Sequence, residues 1–321
     1  MKFFFSFLFV SFTLLYIPEV NGQKGTITFM PQWLPQAQFA GYYMAMEKGF
    51  YKDEGVDVKI VHPSASLIAT ESLKNGDVDV ISLFLVSAIT SVDKGVNLVN
   101  IAQLSQNSGL LFVTKKDKNI TSIRDLNGKK VGIWKSGFDE IPKSVIQTHN
   151  LKVTWVPLLS SVNMFMMDGI DVMTVMWYNE YDQIINSGYN PEELKTFFFS
   201  DLGFNIPEDG LYCLDSTYQN KKDELQKFVR ATLKGWEYAR NHQEETIQVV
   251  LNYMKKEHVP TNYAHQKWML EKVLQLMKPK ATHVKNGVLQ LEHFNKAQDH
   301  LFNGKFISKK INYSDFFKPV L

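Results

Sequence analysis

The stretch Thr26–Val58, TITFMPQWLPQAQFAGYYMAMEKGFYKDEGVDV, decides how this chain is read. TITFM is a short β-branched and apolar run, the pattern of a strand. A loop rich in Pro, Gln and Trp follows and opens onto an amphipathic helix, Phe39–Glu47, which stops at Lys48-Gly49. A second strand begins after Gly55. A loop between a strand end and a helix start presents amides, an aromatic ring and free backbone N–H groups at the mouth of a sheet. Such a mouth suits a small molecule, and the stretch carries no nucleophile, metal cluster or phosphate loop of its own.

The same alternation continues outward. Strands are expected at Val78–Leu83, Leu98–Leu104, Leu110–Thr114, Lys130–Ile133, Val153–Val156, Val172–Met176 and Tyr212–Leu214, with helices between most of them. Strands separated by helices of about ten residues read as βαβ units on a parallel sheet. From Lys222 onward the chain reads as helical. Asp125-Leu-Asn-Gly starts a second α/β series, so two lobes are expected: 24–110 with 213–321, and 111–212. Two chain crossings, near 108–114 and 208–214, would join them. Two α/β lobes around a cleft make a hinge-closing ligand trap.

Composition narrows the classes. The 321 residues are 45% hydrophobic and 21% charged, with a net charge of +2, so a nucleic-acid partner, which needs a dense basic face, is not expected. Residues 1–22 read as an export signal: Lys2, an apolar run from Phe3 to Ile17, and Val20-Asn21-Gly22 before a cleavage point at Gln23. Fifteen residues, with scattered Ser and Thr among the apolar ones, are short for a membrane span, which needs about 20. Cys213 is the only cysteine, so no internal disulfide forms, and its apolar setting reads as a buried small hydrophobe. No HExxH, GxSxG, Walker loop or GxGxxG occurs; no catalytic residue, metal or cofactor is expected.

Five loops at strand ends carry the candidate ligand-binding residues: Trp33, Gln38 and Phe39; Phe84; Trp134 and Gly137; Tyr178, Asn179 and Glu180; and Asp209. Asn179 and Glu180 also fit a helix cap and a first-turn acid. As a clamp, Tyr178 supplies a stacking face, Asn179 a donor and acceptor, and Glu180 an acceptor for an amine. Glu180 and Asp209 would repel an anion, whereas a flat amine-bearing heterocycle meets rings and carboxylates alike.

Several blocks carry a family resemblance. They are W-x-P…A-G-x-Y-x-A-x-x-K-G-x-Y-x-x-E-G-x-D-V from Trp33 to Val58, Leu73–Val80, Ser122–Trp134, the Tyr178-Asn179-Glu180 block and Glu208–Tyr212. Together they resemble the periplasmic substrate-binding proteins of ABC importers, in the branch shared by binders of thiamine pyrimidine precursors, the yeast thiamine-pyrimidine synthase, and nitrate, sulfonate and taurine binders. The resemblance implies a two-lobed type II periplasmic-binding-protein fold with C-terminal helices. It also implies a periplasmic location, a monomer, a small-molecule ligand, and a permease with its ATPase as partners. Within this branch the Tyr178-Asn179-Glu180 block points to a thiamine pyrimidine precursor as the ligand, with nitrate, an aliphatic sulfonate or taurine as the alternative. Two departures stand out: Gln36-Ala37-Gln38-Phe39 replaces the family's N-P-x-H, and Leu83 and Ser87 stand where the synthase has lysine and histidine. The second argues against the synthase reaction.

Overall fold

The computed structural model describes residues 25–64, 67–134, 138–159, 161–279 and 285–321. The expected export segment and Gly137 lie outside the described residues. Among the described residues ten strands form two five-stranded sheets. The first holds β1 (Thr26–Met30), β2 (Asp57–Ile60), β3 (Val80–Phe84), β4 (Leu98–Gln103) and β10 (Asp209–Leu214), in the order β2-β1-β3-β10-β4. The second holds β5 (Leu110–Lys115), β6 (Lys130–Trp134), β7 (Thr154–Leu158), β8 (Val172–Met176) and β9 (Leu194–Phe198), in the order β7-β6-β8-β5-β9.

Neither sheet is purely parallel, as the βαβ reading expected. β1 pairs parallel with β2 and β3, and β6 with β7 and β8. β10 runs antiparallel to β3 and β4, and β5 antiparallel to β8 and β9. The reason is topological: β5 and β10 arrive from the other lobe and enter each sheet from the opposite end. They also shift the lobe limits given by sheet membership. The expected boundaries after 110 and 212 fall inside β5 and β10. β9 was not expected; its run LKTFF is a half-exposed edge strand without a clean alternation.

The first helix, Ala40–Glu47, is preceded by a 3-10 turn, Ala37–Phe39. It is not amphipathic in place: Ala40 through Ala45 are all buried, because the Lys222–Asn241 and Gln243–Lys256 helices cover it. Close approach to Lys222–Asn241 depends on two glycines. A Cβ on Gly235 would sit 2.1 Å from the Gly41 carbonyl oxygen, and one on Gly41 2.2 Å from the Trp236 indole. The C-terminal segment packs on the body: Phe316, Phe317 and Val320 are buried, and the Lys318 N–H donates to the Asn100 carbonyl at 2.9 Å. Cys213 is fully buried. Among the described residues no helix is long and apolar enough to cross a membrane.

The two crossings are laced together. Glu208 Oε1 accepts from the Gly109 N–H at 2.6 Å and from Ser108 Oγ at 3.2 Å. Asn205 Oδ1 accepts from the Ser108 N–H at 2.9 Å. This stitched pair of segments lies directly behind the cleft.

Candidate functional site

At the lobe junction, Gln38, Tyr42, Ser105, Tyr178, Asp209 and Trp236 surround a narrow cavity of about 10 Å³, room for about one water molecule. Glu208, Leu276 and Met277 complete much of its wall. Each polar group arrives by a definite route. Asp209 opens β10, opposite Phe84 at the end of β3, and its carbonyl accepts from the Leu104 and Ser105 N–H groups. Its carboxylate is gripped from the first loop: Gln38 Nε2 donates to Oδ2 at 2.8 Å and Gln32 Nε2 donates to Oδ1. Gln36 in turn donates to Gln38 Oε1 at 2.6 Å. The Gln-rich loop is therefore an ordered relay of amides that ends on one carboxylate.

Electrostatics here are unusual. Burial pushes Asp209 up to about 7, against the lowering effect of Gln38 and Gln32. Burial likewise pushes Glu208 up to about 8 and Glu180 up to about 7. Among the described residues, no Lys or Arg forms an ion pair with any of the three. Tyr178 lies among them: its hydroxyl is held well above the ordinary range by burial first, then by Glu208, Asp209 and Glu180. Buried carboxyls without a cation are costly to ionise, and such groups mark candidate functional sites.

The structure separates the expected site residues. Gln38, Tyr178 and Asp209 line the cavity together. Phe39 is core, 1% exposed, and packs toward Tyr42 with ring centroids 6.4 Å apart. Phe84 is buried edge-on against Phe138 at 4.9 Å, and Trp134 contacts the same ring at 6.1 Å. These three rings join the lobes away from the cavity wall. Trp33 is 47% exposed.

Asn179 and Glu180 serve their own turn. Asn179 does not cap the Glu180–Asn186 helix through its side chain. Its Nδ2 instead donates to Glu180 Oε1 at 2.8 Å, and its Oδ1 accepts from Gln183 Nε2 at 2.9 Å. Glu180 Oε2 accepts from the Met176 N–H at 3.0 Å, so both carboxylate oxygens are engaged within five residues.

Residues not singled out in the sequence also shape the site: Gln32, Tyr42, Ser105, Glu208 and Trp236. Glu208 was visible as the neighbour of Asp209. Trp236 comes from a helix far along the chain, and no local pattern marks it.

The family model described as NMT1/THI5 like matches residues 36–246. A Haemophilus influenzae protein named "Putative thiamine biosynthesis protein" is 29% identical over 134 residues, 42% of each chain. The formylaminopyrimidine-binding protein of Halalkalibacterium halodurans is 24% identical over 73% of this chain and 72% of its own. The crystal structure of the periplasmic aliphatic sulphonate binding protein SsuA from Escherichia coli superimposes with a TM-score of 0.70 at 14% identity, covering 90% of this chain and 96% of that one. The two mixed sheets and their crossings are thus the periplasmic-binding-protein fold, and with its match across most of that fold this chain belongs to the NMT1/THI5-like family.

Proposed function

We propose that this protein is the exported solute-binding component of an ABC importer and that it takes a planar, amine-bearing heteroaromatic ligand of the thiamine-pyrimidine type. The observation that carries this reading is Asp209. Its carboxylate borders the cavity beside Glu208, is held by side-chain amides in the hydrogen bonds it makes, and forms no ion pair among the described residues. Ligand amine N–H groups would take over, or add to, the places of Gln32 and Gln38. Tyr178, Tyr42 and Trp236 offer the apolar ring faces that a flat ligand needs. The small cavity fits lobes already close together, so entry requires them to part and rebind around the ligand.

A binding role rather than synthesis is supported by Leu83 and Ser87, which offer neither a lysine nor a histidine at the positions the synthase resemblance implies. The named aminopyrimidine binder among the relatives supports the ligand class. The sulphonate-binding structural neighbour supports only the fold, and buried carboxyls oppose an anion.

The test is calorimetry and thermal shift against aminopyrimidines, alkanesulfonates and nitrate. A true ligand at 100 times its Kd adds about 2.7 kcal/mol of stability. Stabilisation by an aminopyrimidine, lost on Asp209→Ala, supports the reading; stabilisation by an anion alone overturns it.

A further inference from the structure

A single helix turn holds both walls of the cavity. In the Tyr263–Leu276 helix, Gln266 Oε1 accepts from the Ala37 N–H at 2.7 Å and so fixes the loop that carries Gln38. The preceding residue, His265, reaches the other lobe. Its Nδ1 lies 2.7 Å from Asp182 Oδ2 and its Nε2 lies 3.2 Å from Asn179 Oδ1. Both partners are acceptors in the arrangement shown: Asp182 Oδ2 also receives Asn186 Nδ2, and Asn179 Oδ1 receives Gln183 Nε2. A proton on Nδ1 donates to the Asp182 carboxylate, and an ionised acceptor makes that hydrogen bond charge-assisted.

The Tyr178 turn is gripped on both sides. One helical turn beyond His265, Trp268 Nε1 donates to the Trp177 carbonyl at 2.8 Å, and Lys272 lies over the Trp177 and Trp268 rings at 4.6 and 4.3 Å. His265 holds Asn179, the residue after Tyr178. Tyr178 itself sits between these two holds and lines the cavity.

From this geometry we infer that His265 is a positioning residue for ligand capture: it latches the lobes together and fixes Tyr178 against the ligand. The latch exists only when the lobes meet, so it adds to the closed state and not to the open one, which is what a closure contact must do to slow ligand escape. It does not itself touch the cavity. The inference deepens the proposed binding role and rests on it for the ligand, but the latch can be tested without one.

The experiment compares wild type, His265→Ala, His265→Asn and Asp182→Asn. Small-angle scattering of the unliganded proteins reads lobe separation, and stopped-flow fluorescence reads dissociation of an aminopyrimidine. His265→Ala should expand the particle and speed dissociation by about tenfold or more, the worth of one charge-assisted hydrogen bond. Asp182→Asn should move both readouts the same way by less, and His265→Asn, which keeps one donor, should restore part of the effect. A local structural role would lower the melting temperature and leave scattering and dissociation unmoved. Unchanged scattering and dissociation in both His265→Ala and Asp182→Asn overturn the inference. If wild type binds no aminopyrimidine, the proposed ligand falls, while the scattering comparison still decides the latch.

Discussion

Two carboxylates, one in each lobe, are held in opposite ways. Glu180, in the second lobe, accepts from the Met176 N–H and from its neighbour Asn179. Its partners lie within its own turn, and replacing them would unmake that turn. Asp209, in the first lobe, accepts from Gln32 and Gln38, two side chains of a loop more than 170 positions away in sequence. Those amides can be exchanged for a ligand's amine at little structural cost. Similar upward pKa shifts therefore hide different holds: Glu180 is tied within its own turn, and Asp209 is tied to a loop distant in sequence.

The sharpest way to break this comparison is to remove each acid in turn. Asp209→Ala should weaken aminopyrimidine binding about a hundredfold or more by calorimetry, since truncating a buried charged partner costs about 2–5 kcal/mol. Glu180→Ala should act mainly on the fold, costing about 1–3 kcal/mol in denaturant unfolding because the buried Met176 N–H loses its acceptor. The reverse ranking in binding would make Glu180 the ligand's acid.

Next in size is the helix pair behind the first lobe's wall. Gly235→Val should destabilise by about 3 kcal/mol, because the new side chain meets the Gly41 carbonyl and overpacks the contact that seats Trp236. A melting temperature within a degree of wild type would show that the helices can separate, and that this wall is no firmer than the Tyr178 turn.

A pH series sharpens the comparison further. Folding raises Asp209 and Glu180 to about 7 and Glu208 to about 8, above the unfolded values of about 4. The folded form thus binds more protons between those limits. Their contribution is fully present below about pH 4 and is lost as pH rises to about 8, so unliganded stability should fall across that window in thermal unfolding. Donation from a ligand amine favours the ionised acid, so affinity should rise over the same window with net proton release, detectable in buffers of different ionisation enthalpy. Asp209→Asn should suppress much of the proton release; Glu180→Gln should leave most of it.

The smallest effect is expected at Trp33, which is 47% exposed. Trp33→Ala should alter stability by about 0.5 kcal/mol or less and affinity by less than about fivefold. A larger loss of affinity would extend the site outward from Asp209 to the exposed part of the loop.

Much of the fold was legible because its signals are local. Apolar runs of strand length, helices of ordinary period and glycines at joints such as Gly49 (φ 73°) and Gly76 (φ 77°) each act within a few residues. β9 escaped because an edge strand with half-exposed residues lacks the alternation that marks a buried one. The candidate site was half legible. The strand-end loops held Gln38, Tyr178 and Asp209, which line the cavity together. Strand-end position also named Phe39, an aromatic at a strand end that turned out to be core packing, because sequence position cannot report which way a ring points.

The sequence by itself determined the α/β alternation, the two lobes, the lone buried cysteine and the family. All of these depend on composition, short-range periodicity and motifs. Tertiary structure alone decided that β5 and β10 run against their sheets, that Asp209 rather than Glu180 borders the cavity, that Trp236 lines it, and that His265 bridges the lobes. Those facts rest on contacts between residues that are distant along the chain, where burial and hydrogen-bond partners are set by packing and not by neighbours in sequence.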